Sequence, residues 1–231
     1  MTQTTNEARP HVLSDELRDI AEQIVAKYPN KRSATLPLLF LVQSQDGYVT
    51  DEGMREVAGI IGITPAQVLA TASFYTMLKK RPQGEYLISI CRNISCTHLG
   101  ARAIIEHLED HLGIEAGGTT PDGKFSLEAA ECLATCDGAP SMQINYEDFY
   151  KIVPEDVVEM IEKLKRGDEV LSVKGEPVKT AKEVSYETAT AGLRSPGTAG
   201  DQPGRVIGGE SGEAAVAEGH RPKVIGVEDE A

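Results

Sequence analysis

The feature that most limits what this chain can become is the placement of its four cysteines: Cys91-x4-Cys96, thirty-five further residues, then Cys132-x3-Cys136. Each pair follows a short run that reads as a buried strand, Tyr86 to Ile90 before the first and Phe125 to Ala130 before the second. Where strand and helix alternate, loops leaving such strands meet at one edge of the sheet, so both pairs can be carried to the same place. Four thiolates are enough for a binuclear iron–sulfur centre, because sulfide-bridged iron prefers soft, anionic donors. A structural zinc site uses the same donor set, and spacing alone leaves both open, although zinc ribbons more often place two residues inside a pair. A dithiol oxidoreductase needs Cys-x-x-Cys, and neither pair has it.

Other candidate ligands carry a plainer reading. His98 lies two residues after Cys96 and would suit a mixed His and Cys centre, but with four cysteines available it reads as a surface residue. His107 and His111 lie one helical turn apart; the flanking Glu106, Glu109 and Asp110 mark that face as solvated.

Around the cysteines the chain falls into three parts. Residues 12–82 read as an N-terminal helical bundle. Leu17, Ile20, Ala21, Ile24 and Val25 share one helical face, a second helix covers Leu36 to Gln43, and Thr50 caps a third that runs to Ile61. Thr64-Pro65-Ala66-Gln67 opens a fourth, expected to reach about Leu78. Residues 83–167 alternate strand and helix. The strands are Tyr86 to Ile90, Phe125 to Ala130, Pro140 to Ile144 and Phe149 to Ile152; one helix, capped at Thr97, carries Ala101, Ile104, Ile105, Leu108 and Leu112, and Pro154 opens another that ends before Gly167. Residues 168–231 lack core signals, and beyond about Thr180 Tyr186 is the only aromatic residue, so this part reads as an extended or disordered tail. The fold class expected is α+β.

Composition excludes several functions. The formal charge of −13 would repel phosphate backbones, so nucleic acid is not an expected partner. Residues 52–78 do read as two helices joined by a tight turn, but the second begins without the Arg or Lys that would read bases. No run approaches the length of a membrane span, and the first ten residues show neither secretory nor transit pattern; a cytoplasmic chain is the expectation. No Gly-rich turn after a strand offers a nucleotide or flavin site, so no catalytic residue is assigned to this chain.

Cys91-x4-Cys96 followed by a helix, then Glu131-Cys132-Leu133-Ala134-Thr135-Cys136, Ala139-Pro140, Gln143-Ile144-Asn145, Tyr150 and the closing helix to Gly167, resemble the NuoE-type subunit of respiratory complex I. That subunit belongs to the thioredoxin-like [2Fe–2S] ferredoxin family, also found in NAD-reducing hydrogenases and formate dehydrogenases. Gly47-Tyr48-Val49 and Thr64-Pro65 to Phe74-Tyr75 are similar to the bundle that precedes the ferredoxin in the family, so the resemblance covers about residues 14–167. It implies a [2Fe–2S] cluster on Cys91, Cys96, Cys132 and Cys136. It also implies a flavin-bearing, NADH-oxidising partner subunit that holds FMN and NADH, other peripheral-arm subunits of NADH:quinone oxidoreductase, and a place on the cytoplasmic face of the inner membrane reached only through the complex. One residue departs from the pattern: Ala134 stands where the family usually has glycine, and an unusual backbone angle there would be strained.

Overall fold

The computed structural model of the chain describes residues 13–193. Four helices come first: α1 (Asp15–Ala26), α2 (Thr35–Asp46), α3 (Asp51–Ile61) and α4 (Pro65–Phe74). Their ends are set by local chemistry. Ser14, Thr50 and Thr64 each accept a backbone N–H of the following first turn, and Gln67 returns the bond to Thr64 in a capping box. Gly47 and Gly62 close α2 and α3 in the left-handed region. Leu38, Leu39, Leu41 and Val42 of α2 are fully buried, which makes α2 the centre of the bundle against Val57 of α3 and Val68 of α4. No single helix among the described residues is long and apolar enough to cross a membrane.

Helix α4 ends at Phe74, short of the Leu78 expected. The side chain of Gln43 on α2 explains it: its amide donates to the Met77 carbonyl (3.1 Å) and accepts the Lys79 N–H (2.7 Å), so this segment bonds to its neighbour instead of extending a helical ladder.

The second half is a four-stranded sheet in the order β2-β1-β3-β4, from β1 (Tyr86–Cys91), β2 (Phe125–Ala130), β3 (Met142–Ile144) and β4 (Glu147–Phe149). Strand β1 runs parallel to β2 and antiparallel to β3, and β3 turns into β4 through Asn145 and Tyr146, whose φ of 48° and 73° are those of a tight two-residue hairpin. Between β1 and β2 lie the short α5 (Ile94–His98) and α6 (Ala101–Leu112), and after β4 comes α7 (Pro154–Arg166). Period-two alternation separates the faces. Ile88, Leu127 and Ile144 pair in register and join the core with Ile104 and Leu108 of α6 and Val157 and Ile161 of α7. The opposite row, Glu128, Ser89, Gln143 and Asp148, is polar and satisfied across the strands: Ser89 Oγ donates to Glu128, Gln143 Nε2 donates to Asp148, and Lys79 and Lys174 flank the two carboxylates.

The first helix after the first cysteine is not the one capped by Thr97. Asn93 accepts the Ile94 N–H and starts α5, Thr97 lies inside it with its hydroxyl on the Arg92 carbonyl (2.7 Å), and α6 begins only after Gly100.

A second correction concerns residues 168–193, expected to be extended or disordered. They form an ordered return to the bundle, ending in α8 (Ala181–Thr190), whose Thr180 and Glu183 make a capping box that holds the Glu183 carboxyl below its ordinary range. Val170 is buried in the sheet core, Lys179 pairs with Glu187, and α8 lies on α2 with Ser185 Oγ bonded to Gln43 and Ala189 in the bundle core. Small residues allow that close approach, so the segment orders through polar bonds and backbone proximity without the large apolar side chains that periodicity detects. The expected tail beyond 193 lies outside the described residues.

Candidate functional site

Both cysteine loops leave the same end of adjacent strands. The parallel pairing sets Cys91 opposite Ala130, so Glu131 and Cys132 emerge beside the loop that begins at Arg92. The loops are tied where they start: Arg92 N–H donates to the Ala130 carbonyl (2.8 Å), and the Arg92 guanidinium pairs with the Glu131 carboxylate. A third segment joins them. After the cis Ala139–Pro140 bond, the Ser141 carbonyl accepts the Cys91 N–H (3.1 Å), while the Ser141 hydroxyl lies 3.6 Å from Cys96 Sγ.

The two pairs sit in different surroundings. Cys91 and Cys96 are 3% and 2% exposed and belong to the sheet core, with Cys91 Sγ facing the Glu131 carbonyl. Cys132 and Cys136 are exposed, and all four are free thiols. In the second loop Ala134 adopts φ 58°, an unusual, left-handed angle for a residue other than glycine, and its N–H points at Cys132 Sγ (3.4 Å). An alanine held there costs about 1–2 kcal/mol. Beyond it, Gly138 packs on Tyr150 so closely that a Cβ would lie 2.4 Å from the ring's Cγ, and Lys151 N–H donates to the Gly138 carbonyl (2.8 Å). The loop is thus backed by the chain that leaves β4.

Among the described residues no three His, Cys, Asp or Glu side chains converge closely enough to hold one metal ion. The loops are brought together; their sulfurs are not gathered about a single point. The donor groups around them still suit a sulfide-containing centre. Thr135, between the second pair, has a buried hydroxyl with no protein partner, and the Ser141 hydroxyl and Ala134 N–H already address two cysteine sulfurs. Asn93, Thr97 and the Gly138 N–H are engaged by backbone groups, whereas Ser141, remote from the cysteines in sequence, becomes a neighbour only through the β1–β3 pairing. His98 is exposed beside the first loop, and His111 faces Glu162 of α7, so neither joins the cysteines.

Two further polar groups steady the frame. Asn145 is buried: its side-chain oxygen accepts the Leu87 N–H (2.8 Å), and its amide donates to the carbonyls of Glu85 and Lys179. Beside it, burial and the nearby Glu128 carboxylate push the Tyr146 phenol up to about 12, so it stays protonated at any ordinary pH.

The family model of the thioredoxin-like [2Fe-2S] ferredoxins matches residues 21–165. The chain belongs to that family. Among curated relatives, this thioredoxin-like ferredoxin is 43% identical over 169 residues to an NADH-quinone oxidoreductase subunit of Mycobacterium tuberculosis, covering 73% of this chain and 67% of the relative. It is 39% identical over 141 residues to a second NADH-quinone oxidoreductase subunit, from Thermus thermophilus, covering 60% of this chain and 78% of the relative. The fold also matches the crystal structure of NAD+-reducing [NiFe]-hydrogenase in its H2-reduced state, with a TM-score of 0.50 and 24% identity over 57% of this chain. The ferredoxin spans only 22% of that hydrogenase chain, so the likeness is one of fold. Its cofactor, by family, is a [2Fe–2S] cluster.

Proposed function

We propose that this chain holds one [2Fe–2S] cluster on Cys91, Cys96, Cys132 and Cys136 and passes single electrons beside the flavin of an NADH-oxidising partner subunit of NADH:quinone oxidoreductase. FMN and NADH belong to that partner. The chain joins the other subunits of the peripheral arm and reaches the cytoplasmic face of the inner membrane only through them. The observation that carries the reading is the β1–β2 register: Cys91 opposite Ala130 brings two strand-end loops, each with a cysteine pair, to one end of the sheet.

When bound, the cluster supplies a reversible one-electron carrier. The chain's own residues set its surroundings. Donors aimed at thiolate sulfur favour the reduced, more negative state, and the Ser141 hydroxyl beside Cys96 and the Ala134 N–H beside Cys132 support that role. Burial of Cys91 and Cys96 keeps water from two of the four ligands. The chain alone does not oxidise NADH.

Anaerobic purification with iron and sulfide analysis tests the reading. About two irons and two sulfides per chain are expected, with a red-brown colour and a paramagnetic signal after one-electron reduction. A colourless protein carrying a single zinc would end it.

A further inference from the structure

A pocket of about 340 Å³ opens beside the first cysteine loop, lined by Arg92, Ile94, Thr97, His98, Arg102 and Glu131 among others. Its chemistry is at odds with the rest of the chain, whose net charge is −13. Arg92 is matched by Glu131, but Arg102 has no ion-pair partner among the described residues and is exposed. Its position is also locally unfavourable. Arg102 sits in the first turn of α6, which has no acidic residue there and no side-chain cap at Gly100. A cation at a helix N-terminus opposes the helix dipole. Such a placement, against local preference, is the kind a binding role explains.

Two of the most exposed apolar residues of the domain flank Cys96 in the chain: Ile94 of the lining at 73%, and Leu99, which follows the lining residue His98, at 54%. Apolar contacts next to a charged rim are the anatomy of a protein interface. The pocket borders the loop that carries one cysteine pair, and electron transfer falls steeply with distance, so a redox partner must approach this end of the sheet.

We infer that this pocket seats a carboxylate-bearing segment of the flavin-bearing partner subunit, with Arg102 as its principal anchor and Ile94 and Leu99 as the apolar contact beside it. The inference rests on the reading given under Proposed function and deepens it by assigning the docking surface. Guanidinium and carboxylate match in planar, bidentate geometry. Because most of this acidic chain repels an acidic partner, a local basic seat selects one docking orientation out of many.

The test measures binding of the cluster-loaded full chain to its own flavin-bearing subunit, for the wild type, Arg102→Glu, Arg102→Ala and Arg55→Glu. Arg55 lies on α3, exposed and paired with Glu52, and its reversal changes the net charge as much as Arg102→Glu does. Arg102→Glu is expected to weaken binding at least about tenfold, Arg102→Ala less and Arg55→Glu hardly at all, with the visible spectrum of the cluster unchanged in each. Equal affinity for wild type and Arg102→Glu, or equal losses in Arg102→Glu and Arg55→Glu, would overturn the docking assignment while leaving the electron-transfer reading intact. A wild-type chain that carries the cluster but does not bind the flavin-bearing subunit would overturn that reading instead. Free NADH titrated into the isolated chain provides the last arm: saturable binding lost in Arg102→Glu would make the pocket a nucleotide site and refute the proposal.

Discussion

Cys91 and Cys96 are set into the core of the sheet, whereas Cys132 and Cys136 stand on a strained, exposed loop at the same end of it. The first loop is an extension of β1: its sulfurs pack among core side chains, and its backbone is tied to both neighbouring strands. The second takes its shape from the chain behind Gly138 and from its own left-handed alanine, which turns an N–H toward sulfur. One half of the proposed ligand set is therefore positioned by folding alone. The other half is held at a conformational cost that ligand binding can offset.

Cysteine replacements break this comparison most sharply. Changing any of the four to Ala should remove the cluster, read as loss of visible colour and a fall from about two irons per chain toward none. The apoprotein should tell the pairs apart: Cys96→Ala leaves a gap in the core and costs about 1–2 kcal/mol of unfolding free energy, while Cys132→Ala leaves denaturant stability nearly unchanged. Equal losses would mean that the second loop is as much a part of the core as the first.

Gly138→Ala probes the backing of the second loop. Its Cβ would meet Cγ and Cβ of Tyr150, atoms near the backbone that cannot swing away, and a loss of about 1–3 kcal/mol is expected in thermal or denaturant unfolding. Wild-type stability in this variant would show that Tyr150 does not support the loop.

The smallest effect sharpens the argument. Ala134→Gly relieves the left-handed strain but frees the unfolded chain, so apoprotein stability should rise by less than about 1 kcal/mol. A clear loss would mean that the methyl group makes a contact stronger than the strain.

Much of this was legible in the sequence, for reasons that differ by element. Helix starts were readable at Thr50 and Thr64, where a side chain does the capping, though not at Asn93 or Thr180, and helix ends where a glycine takes the left-handed angle, as at Gly62 and Gly167. The strain at Ala134 could be anticipated because a single departure from a family pattern points to one backbone angle. What could not be read depends on partners distant in the chain. Gln43 shortens α4 from a neighbouring helix, Ser141 reaches Cys96 by strand pairing, and α8 joins the bundle through Ser185 and Ala189, neither of which leaves an apolar period. The separation of buried from exposed cysteines is of the same kind, since both pairs follow strands that look alike in one dimension.

The return of α8 to α2 has a mechanical meaning. The cysteine-bearing sheet is fastened to the bundle at its entry, through the segment leading from α4, and again at its exit, where Asn145 grips the carbonyl of Lys179 and Lys182 reaches the carbonyl of Gln45. A body attached once can swing; one attached twice becomes a rigid spacer. Anything that seats on the helical end of this protein therefore stands at a set distance from the cysteine loops, and the chain acts as a ruler for the electron transfer proposed above.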